Sequence, residues 1–447
     1  MKSRRKKPST VFLTVLLGAA LTAAVQPGAV AAAPPAGMAP AVQRVPVRTQ
    51  SELDAALKNT ARVREIQLVG AGPFALELGS EHSAPVGSLL NIEAAPGIEP
   101  VLSRCELKGV SRVRIRGMRL DGVRMNVVGG REVTVSNNVF RGSKGAVVAE
   151  RVSNLWVQGN RIGTPAEGPS GNGIRLTGCV GGWVLGNVVR HAVSSGSGEC
   201  ITLSNCESVE IAFNLVSDRE TIALDFGGEG IDVKGSRFVE VHDNVVRGNP
   251  RRPGIYIDSY DGTNHRVRVY NNVVHSCLSG IVVSGEFLNL SDRIEVRSNL
   301  VLGVKGQQLA LADYSKRKSG LLPCREVQFV DNTAIRTLRD TRGWNLPVSI
   351  DARMEASGPG FLRNQGLVVE NNRGYDLPVG AGGVWGRCVG LLEPRLSEGD
   401  VAARKLKALG TQRAELISDA DKARNQKALE SSVWVRERNL PGRNVLR

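Results

Sequence analysis

The chain has 447 residues, a formal net charge of +15 and only 4% aromatic residues. This length allows one large domain or two ordinary ones, and the 51 glycines favour a tightly turning repeat over a core built on large rings. The positive charge favours polyanionic partners. Because the sequence has no nucleic-acid-binding motif and no aromatic stripe among its basic residues, an acidic polysaccharide is the expected partner and nucleic acid is not.

Residues 1–33 have the pattern of a secretory signal peptide. Five basic residues precede an apolar run from Val11 to about Val25, and small residues then offer cleavage sites ending at Ala31 or Ala33. The apolar run is too short to span a bilayer comfortably. We therefore expect a secreted protein, periplasmic or extracellular, with no membrane span after cleavage; an uncleaved anchor is the alternative.

A proline- and alanine-rich linker is predicted over residues 34–46, and a helix follows over residues 51–58. Ser51 has an N-cap residue type, acidic residues occupy the first turn, and Leu53 and Leu57 give the helix an apolar side. The strand repeats that come next would leave an open end with uncovered backbone and side chains. We interpret the helix as the N-terminal cap of a domain over residues 47–395.

Short strand-like segments with period-two alternation recur about every 27 residues, and most are followed by an asparagine. Met118 takes the asparagine position of an earlier segment. Asparagine suits a tight turn because it tolerates positive φ, and stacked amides can form a hydrogen-bonded ladder. The pattern predicts a solenoid of about ten coils with loops of variable length. The repeated asparagines are Asn138, Asn160, Asn187, Asn214, Asn244, Asn272, Asn299, Asn332 and Asn372.

This pattern resembles the right-handed parallel β-helix family, the fold of pectate lyases and their relatives, over about residues 105–375 and the N-terminal cap. The resemblance implies an all-β, single-stranded right-handed parallel β-helix. It implies no single activity, because the fold hosts lyases, hydrolases, epimerases and adhesins. The signature motifs of polygalacturonases, pectate lyases and mannuronan epimerases are missing. Residues 396–447 are charged and helix-prone, which predicts a C-terminal helical cap or a disordered tail.

Two cysteines, Cys179 and Cys206, each lie five residues after the isoleucine that opens a predicted strand. In a solenoid they would stack on adjacent coils, about 4.8 Å apart. Buried thiols are the expected state, and a disulfide is the alternative.

Charged and aromatic residues converge on one outward, water-facing side of the predicted sheet. If Ile231 and Val233 point inward, alternation places Asp232 and Lys234 outward beside the residues of the next coil. The candidate catalytic residues are Asp232, Lys234, Tyr256, Asp258 and His265, the last in a loop after Asp258. The candidate substrate-binding residues are Arg175, Arg252, Glu229 and Glu286. Candidate Ca²⁺ ligands are Asp258, Asp261 and Glu286, since Ca²⁺ takes six to eight oxygens.

Two enzymatic mechanisms suit these residues. In a lyase or C5-epimerase acting on a polyuronate, a base removes the proton next to the carboxylate while Ca²⁺ or a basic side chain neutralises that carboxylate. In an inverting glycoside hydrolase, Asp232 and Asp258 would flank the glycosidic bond. We expect a monomeric lyase or epimerase. A non-catalytic glycan-binding or surface-structural solenoid is the alternative, because outward sheet positions are polar wherever they meet water.

Overall fold

The structure is a computed structural model that describes residues 43–142, 145–163, 172–190, 198–217, 228–249, 252–287, 289–304, 306–315, 324–335, 348–350 and 366–375. The predicted signal peptide, most of the predicted linker and the predicted C-terminal segment lie outside these residues. None of the helices in the described ranges has the length and apolar character needed to cross a membrane.

The described residues form stacked coils of parallel strands, as the strand repeats predict. Each full coil contributes one strand to each of three parallel sheets. The first sheet contains thirteen strands: Gln43–Val47, Val63–Leu68, Leu90–Ala94, Ser111–Arg116, Arg131–Ser136, Ser153–Gln158, Val180–Leu185, Glu207–Ala212, Arg237–His242, Asn264–Tyr270, Ser291–Arg297, Cys324–Val330 and Val368–Glu370.

The second and third sheets are joined at one end of the solenoid, where Val101–Lys108 pairs with strands of both. The second sheet contains Phe74–Leu78, Val101–Lys108, Met125–Val128, Gly145–Glu150, Asn172–Thr177, Ile201–Ser204, Ile231–Lys234, Pro253–Asp258, Ser279–Phe287, Leu309–Ser315 and Val348–Ile350. The third sheet contains Arg119–Asp121, Val139–Arg141, Arg161–Ile162, Val188–Arg190, Leu215–Ser217, Val245–Arg247, Val273–His275, Leu300–Leu302, Thr333–Ile335 and Arg373–Tyr375.

A continuous aliphatic core fills the coils. Ile201, Ile231, Ile255 and Ile281 are in register on successive strands of the second sheet and are fully buried. Each buried aliphatic side chain contributes roughly 1.5–3 kcal/mol. The core therefore stabilises the fold along its whole length, because every coil adds its own buried side chains.

The predicted asparagine ladder is confirmed, but the turn conformation lies one residue earlier than expected. From Asn138 to Asn372, each side-chain Nδ2 donates to Oδ1 of the next asparagine at 2.8–3.1 Å. The backbone N–H of Met118 donates to Asn138 Oδ1 at 2.9 Å, which extends the ladder by one coil. The positive φ belongs to the preceding residue, for example 52° at Asp243 before Asn244. The ladder asparagine is selected for its buried amide rather than for its backbone conformation.

An α-helix spans Gln50–Leu57, and Ser80–His82 form a short 3-10 helix. The α-helix begins before the predicted start, and Thr49 rather than Ser51 is its N-cap, since Thr49 Oγ1 accepts from the N–H of Glu52 at 3.3 Å. The last residues of the predicted linker form the first strand of the first sheet.

The cysteines are the buried thiols that the sequence favours. The six described cysteines are unpaired by disulfides and buried. Cys179 and Cys206 are within hydrogen-bonding distance of backbone carbonyls, so the alternative of a disulfide between them is wrong.

Candidate functional site

The second sheet places the candidate residues in two outward columns. In one column Arg175, Thr202, Asp232 and Tyr256 are in register on successive strands, and in the other Lys234 is in register with Asp258. The alternating neighbours of these residues belong to the interior core. Tyr256 instead packs in a separate apolar cluster on the outward side with Val282, Ala310 and Ala312. The predicted side-by-side placement of Asp232 with Tyr256 and of Lys234 with Asp258 is confirmed.

The outward side is not open to water at this point. Asp232 is 1% exposed, Asp258 3% and Tyr256 8%. The expectation of a water-facing strip of charges is therefore wrong for these residues. Ionised groups that lose their hydration are costly unless they are paired, so the arrangement of their partners decides their chemistry.

Three carboxylates converge beside Asp232. Glu199, Glu229 and Asp232 each supply an oxygen such that all three oxygens lie within 4.8 Å of one another, and all three side chains are buried. We call these three residues the acidic cluster. In the part of the chain that the structure describes, it is the one group of at least three potential metal ligands with this spacing.

Asp232 is the least satisfied member of the acidic cluster. Neither of its side-chain oxygens accepts a hydrogen bond from the residues that the structure describes, although Lys234 Nζ lies 3.0 Å from Oδ2 as an ion pair. Burial raises the pKa of Asp232 well above its ordinary range, and the nearby carboxylate of Asp258 raises it further. Burial also raises the pKa of Glu229, which Arg252 partly offsets at 3.6 Å. The acidic cluster thus favours a bound proton or a bound cation.

Lys234 bridges two of these carboxylates. Its Nζ donates to Glu199 Oε1 at 2.9 Å and lies 5.7 Å from the centre of the Tyr260 ring. Burial alone would lower the pKa of Lys234, but the carboxylates of Asp232 and Glu199 outweigh burial and raise the pKa above its ordinary value. Lys234 is therefore an ammonium, and not a base, at neutral pH.

Tyr256 and Asp258 are the proton-bearing groups of the site. The Tyr256 hydroxyl donates to Glu286 Oε1 and accepts from Ser284 Oγ at 2.9 Å. Burial, together with Glu286, raises the pKa of Tyr256, so the phenol keeps its proton. Burial raises the pKa of Asp258 to about 7, although the backbone N–H of Tyr260 donates to its Oδ1 at 2.8 Å. Asp258 can therefore give or take a proton near neutral pH.

Two other predicted residues have different surroundings. His265 lies in a strand of the first sheet, not in a loop beside Asp258, and its Nδ1 is 2.7 Å from Asp292 Oδ2. Arg175 lies in the outward column two strands from Asp232 and is exposed.

The predicted calcium ligands Asp258, Asp261 and Glu286 lie outside the acidic cluster. Asp261 Oδ2 accepts from Ser204 Oγ at 2.6 Å, and Glu286 is bound to the Tyr256 hydroxyl. These carboxylates are held by separate partners, which keeps them from converging on one point.

Glu199 is the functional candidate that sequence reasoning missed. It lies two residues before the strand Ile201–Ser204, as Glu229 lies two residues before Ile231–Lys234. The repeated Gly-Glu pairs at 198–199 and 228–229 were the available signal, because equivalent positions on adjacent coils stack.

Comparison with known proteins agrees with this architecture. Residues 110–301 match the family model described as the right handed beta helix region. This match and the parallel sheets both show a right-handed parallel β-helix fold. The sequence has no match among curated proteins.

Three solved structures are among those to which the chain is similar. One is the A-module of a mannuronan C-5 epimerase from Azotobacter vinelandii, with 12% identity, coverage of 76% of this chain and 96% of that chain, and a TM-score of 0.41. The second is a PL6 family alginate lyase, with 10% identity, coverage of 80% and 55%, and a TM-score of 0.42. The third is the tailspike protein of E. coli bacteriophage HK620 in complex with a pentasaccharide, with 12% identity, coverage of 75% and 55%, and a TM-score of 0.36.

Proposed function

We propose that this protein is exported and acts on an acidic polysaccharide at the site around Asp232, by elimination or C5-epimerisation. We further propose that Glu199, Glu229 and Asp232 hold a divalent cation there. The observation that carries the proposal is the buried Asp232 carboxylate: within the described ranges its oxygens accept no hydrogen bond, and two further carboxylates lie beside it. The signal-peptide pattern at the N-terminus supports export.

The donor set of the acidic cluster fits a hard cation. All three residues offer carboxylate oxygens, the ligands that Ca²⁺ prefers, and Ca²⁺ accepts further oxygens beyond three. When bound, such a cation would stabilise the negative charge that develops on a uronate carboxylate. A site with this many carboxylates would otherwise repel an anionic polymer.

The chain's own side chains supply proton transfer and orientation. Asp258, with a pKa of about 7, is the best placed of the candidates to remove the proton next to a uronate carboxylate. Tyr256 keeps its proton and can donate it to the leaving glycosidic oxygen in elimination, or to C5 in epimerisation. Arg175 lies roughly 10 Å along the sheet from Asp232, where its guanidinium can bind a neighbouring uronate.

A glycoside hydrolase is the second candidate, and a specific observation favours it. Burial raises the pKa of Asp232 well above its ordinary range and that of Asp258 to about 7, so Asp232 can hold the proton of the general acid while Asp258 ionises as the base. Hydrolysis and elimination give chemically different chain ends, so one assay separates them.

The test incubates the purified full chain with alginate, polygalacturonate and a neutral glucan, with and without a chelator. Elimination gives unsaturated ends that absorb in the ultraviolet, hydrolysis gives only saturated reducing ends, and epimerisation changes the uronate signals in the proton NMR spectrum without cleavage. We expect a chelator-sensitive change in a uronate polymer that Asp232→Asn abolishes. The matched control is Glu150→Gln, an acid in the same sheet whose side chain is 44% exposed. Absence of any product from every polymer overturns the enzymatic proposal, and retention on immobilised polymer in that case identifies a binding protein.

A further inference from the structure

We propose that Lys234 is a tethered counter-ion of the acidic cluster, and that its ammonium competes with a divalent cation for Glu199 and Asp232. This inference rests on the proposed cation site. It adds that a bound cation displaces the Lys234 ammonium from the acidic cluster. It follows from the placement of one nitrogen atom between two of the three clustered carboxylates.

The ammonium already lies where a cation would have to bind. Lys234 Nζ is 2.9 Å from Glu199 Oε1 and 3.0 Å from Asp232 Oδ2, and both carboxylates belong to the acidic cluster. A Ca²⁺ ion needs these oxygens at about 2.3–2.6 Å. Two positive charges cannot both approach the same pair of oxygens that closely, because their mutual repulsion in a poorly hydrated site is large.

The remaining oxygen of Asp232 shows that the ammonium satisfies the acidic cluster only in part. Asp232 Oδ1 is buried and has no hydrogen-bond partner in the described part of the chain, and Lys234 Nζ approaches the other oxygen. Glu229, the third member, has Arg252 rather than Lys234 as its basic partner. Lys234 and Arg252 thus bring two positive charges to three carboxyl groups, and a multivalent ion can supply the charge that is lacking.

The displaced ammonium has a second place to bind. Lys234 is in register with Asp258 on the next strand, and its Nζ already lies 5.7 Å from the Tyr260 ring. An aromatic face and a carboxylate both stabilise an ammonium. Cation binding would then move the positive charge of Lys234 away from the cluster and toward Asp258, the group that we propose transfers the proton.

The first test compares the calcium affinity of two variants that carry the same lysine-to-methionine change at different positions. Lys234→Met removes the competing ammonium. Lys108→Met makes the same change at an exposed lysine in the same outward column, several strands away. Titration calorimetry with calcium chloride on the full chain should show binding at least ~10-fold tighter in Lys234→Met than in the wild type, a difference of about 1.4 kcal/mol. Lys108→Met should bind as the wild type does. Equal or weaker binding by a folded Lys234→Met overturns the competition.

The second test uses the wild-type chain, so it does not depend on whether a variant folds. Acetylation of lysines, read by mass spectrometry, should be slow at Lys234 in the absence of calcium, because its ammonium is ion-paired and its side chain is 18% exposed. Saturating calcium should accelerate acetylation at Lys234 and leave Lys108 unchanged. Unchanged labelling of Lys234 when calorimetry shows bound calcium overturns the competition but not the proposed cation site. Absence of calcium binding in the wild type and in Lys234→Met overturns both, and polymer turnover remains tested separately.

Discussion

Replacing the buried Asn244 by alanine should lower the free energy of unfolding by more than the same change at a partly exposed asparagine. Asn244 is fully buried in the middle of the ladder. Asn244 Oδ1 accepts two hydrogen bonds from Asn214, one from the backbone N–H at 3.0 Å and one from the side-chain Nδ2 at 2.9 Å. Its Nδ2 donates to the carbonyls of Ile211 and His242 at 2.8 and 2.9 Å and to Asn272 Oδ1 at 3.0 Å.

The size of the effect follows from what alanine leaves behind. The backbone N–H of Asn214 loses its acceptor. The carbonyls of Ile211 and His242 share the Asn244 amide nitrogen as a donor, so at least one of them loses a hydrogen bond. A buried polar group without a partner costs about 1–3 kcal/mol. Two such groups, with the small cavity left by the amide, give an expected loss of about 3–5 kcal/mol.

Urea unfolding followed by circular dichroism measures this loss, with Asn126→Ala as the control. Asn126 is half-buried on the second sheet and its Nδ2 donates to the Glu106 side chain at 2.6 Å, so its removal should cost less than about 1 kcal/mol. Because repeat arrays can open in segments, hydrogen exchange should also accelerate in the coils next to Asn244. Equal losses in the two variants would refute the claim that the ladder stabilises the coils.

Two further changes test the outward side of the second sheet. In the wild type, burial raises the Asp258 pKa to about 7, so its proton stabilises the fold fully below the unfolded pKa of roughly 4, and that contribution is lost as the pH rises through about 7. The melting temperature should therefore fall less between about pH 5 and about pH 8 in Asp258→Asn than in the wild type; equal falls would contradict the raised pKa. Tyr256→Phe removes the donor to Glu286 and should cost about 1–3 kcal/mol in urea unfolding. The control Tyr270→Phe loses a 3.0 Å hydrogen bond to the Glu240 carboxylate on the first sheet, and it should lose less unfolding free energy because that phenol is only half-buried. A larger loss of unfolding free energy in Tyr270→Phe would argue against burial as the cause.

The features that repeat in every coil could be predicted from the sequence. An asparagine at a fixed place in each coil predicted the ladder, because only stacked equivalent positions let one amide bond to the next. The period-two alternation around Ile231 predicted the register of Asp232 with Tyr256, because a strand has only two sides. The turn residue was misplaced, since positive φ and a buried amide both favour asparagine and the sequence does not separate the two causes.

The features that occur once could not be predicted in this way. Glu199 lies just before its strand, so alternation within a strand does not place it, and only its likeness to the Gly-Glu pair of Glu229 indicates it. The sequence predicts a loop at His265 because the apolar alternation begins only at Val267, whereas the strand begins at Asn264. The burial of Asp232 depends on side chains from several coils, and such a three-dimensional property leaves no periodic trace in the sequence.

The separation of the interior core from the outward columns explains how one solenoid can hold several buried charges. Residues such as Ile231 and Val233 keep the coils stacked whatever their outward neighbours are, because the two sets of side chains pack on opposite sides of the sheet. A substitution at Asp232 changes the charge of the acidic cluster without opening the core, whereas a substitution at Asn244 breaks bonds to both neighbouring coils at once. The fold is therefore most tolerant of change on the side where we place the chemistry, and a cluster of carboxylates can persist there as long as Lys234 or a cation compensates its charge.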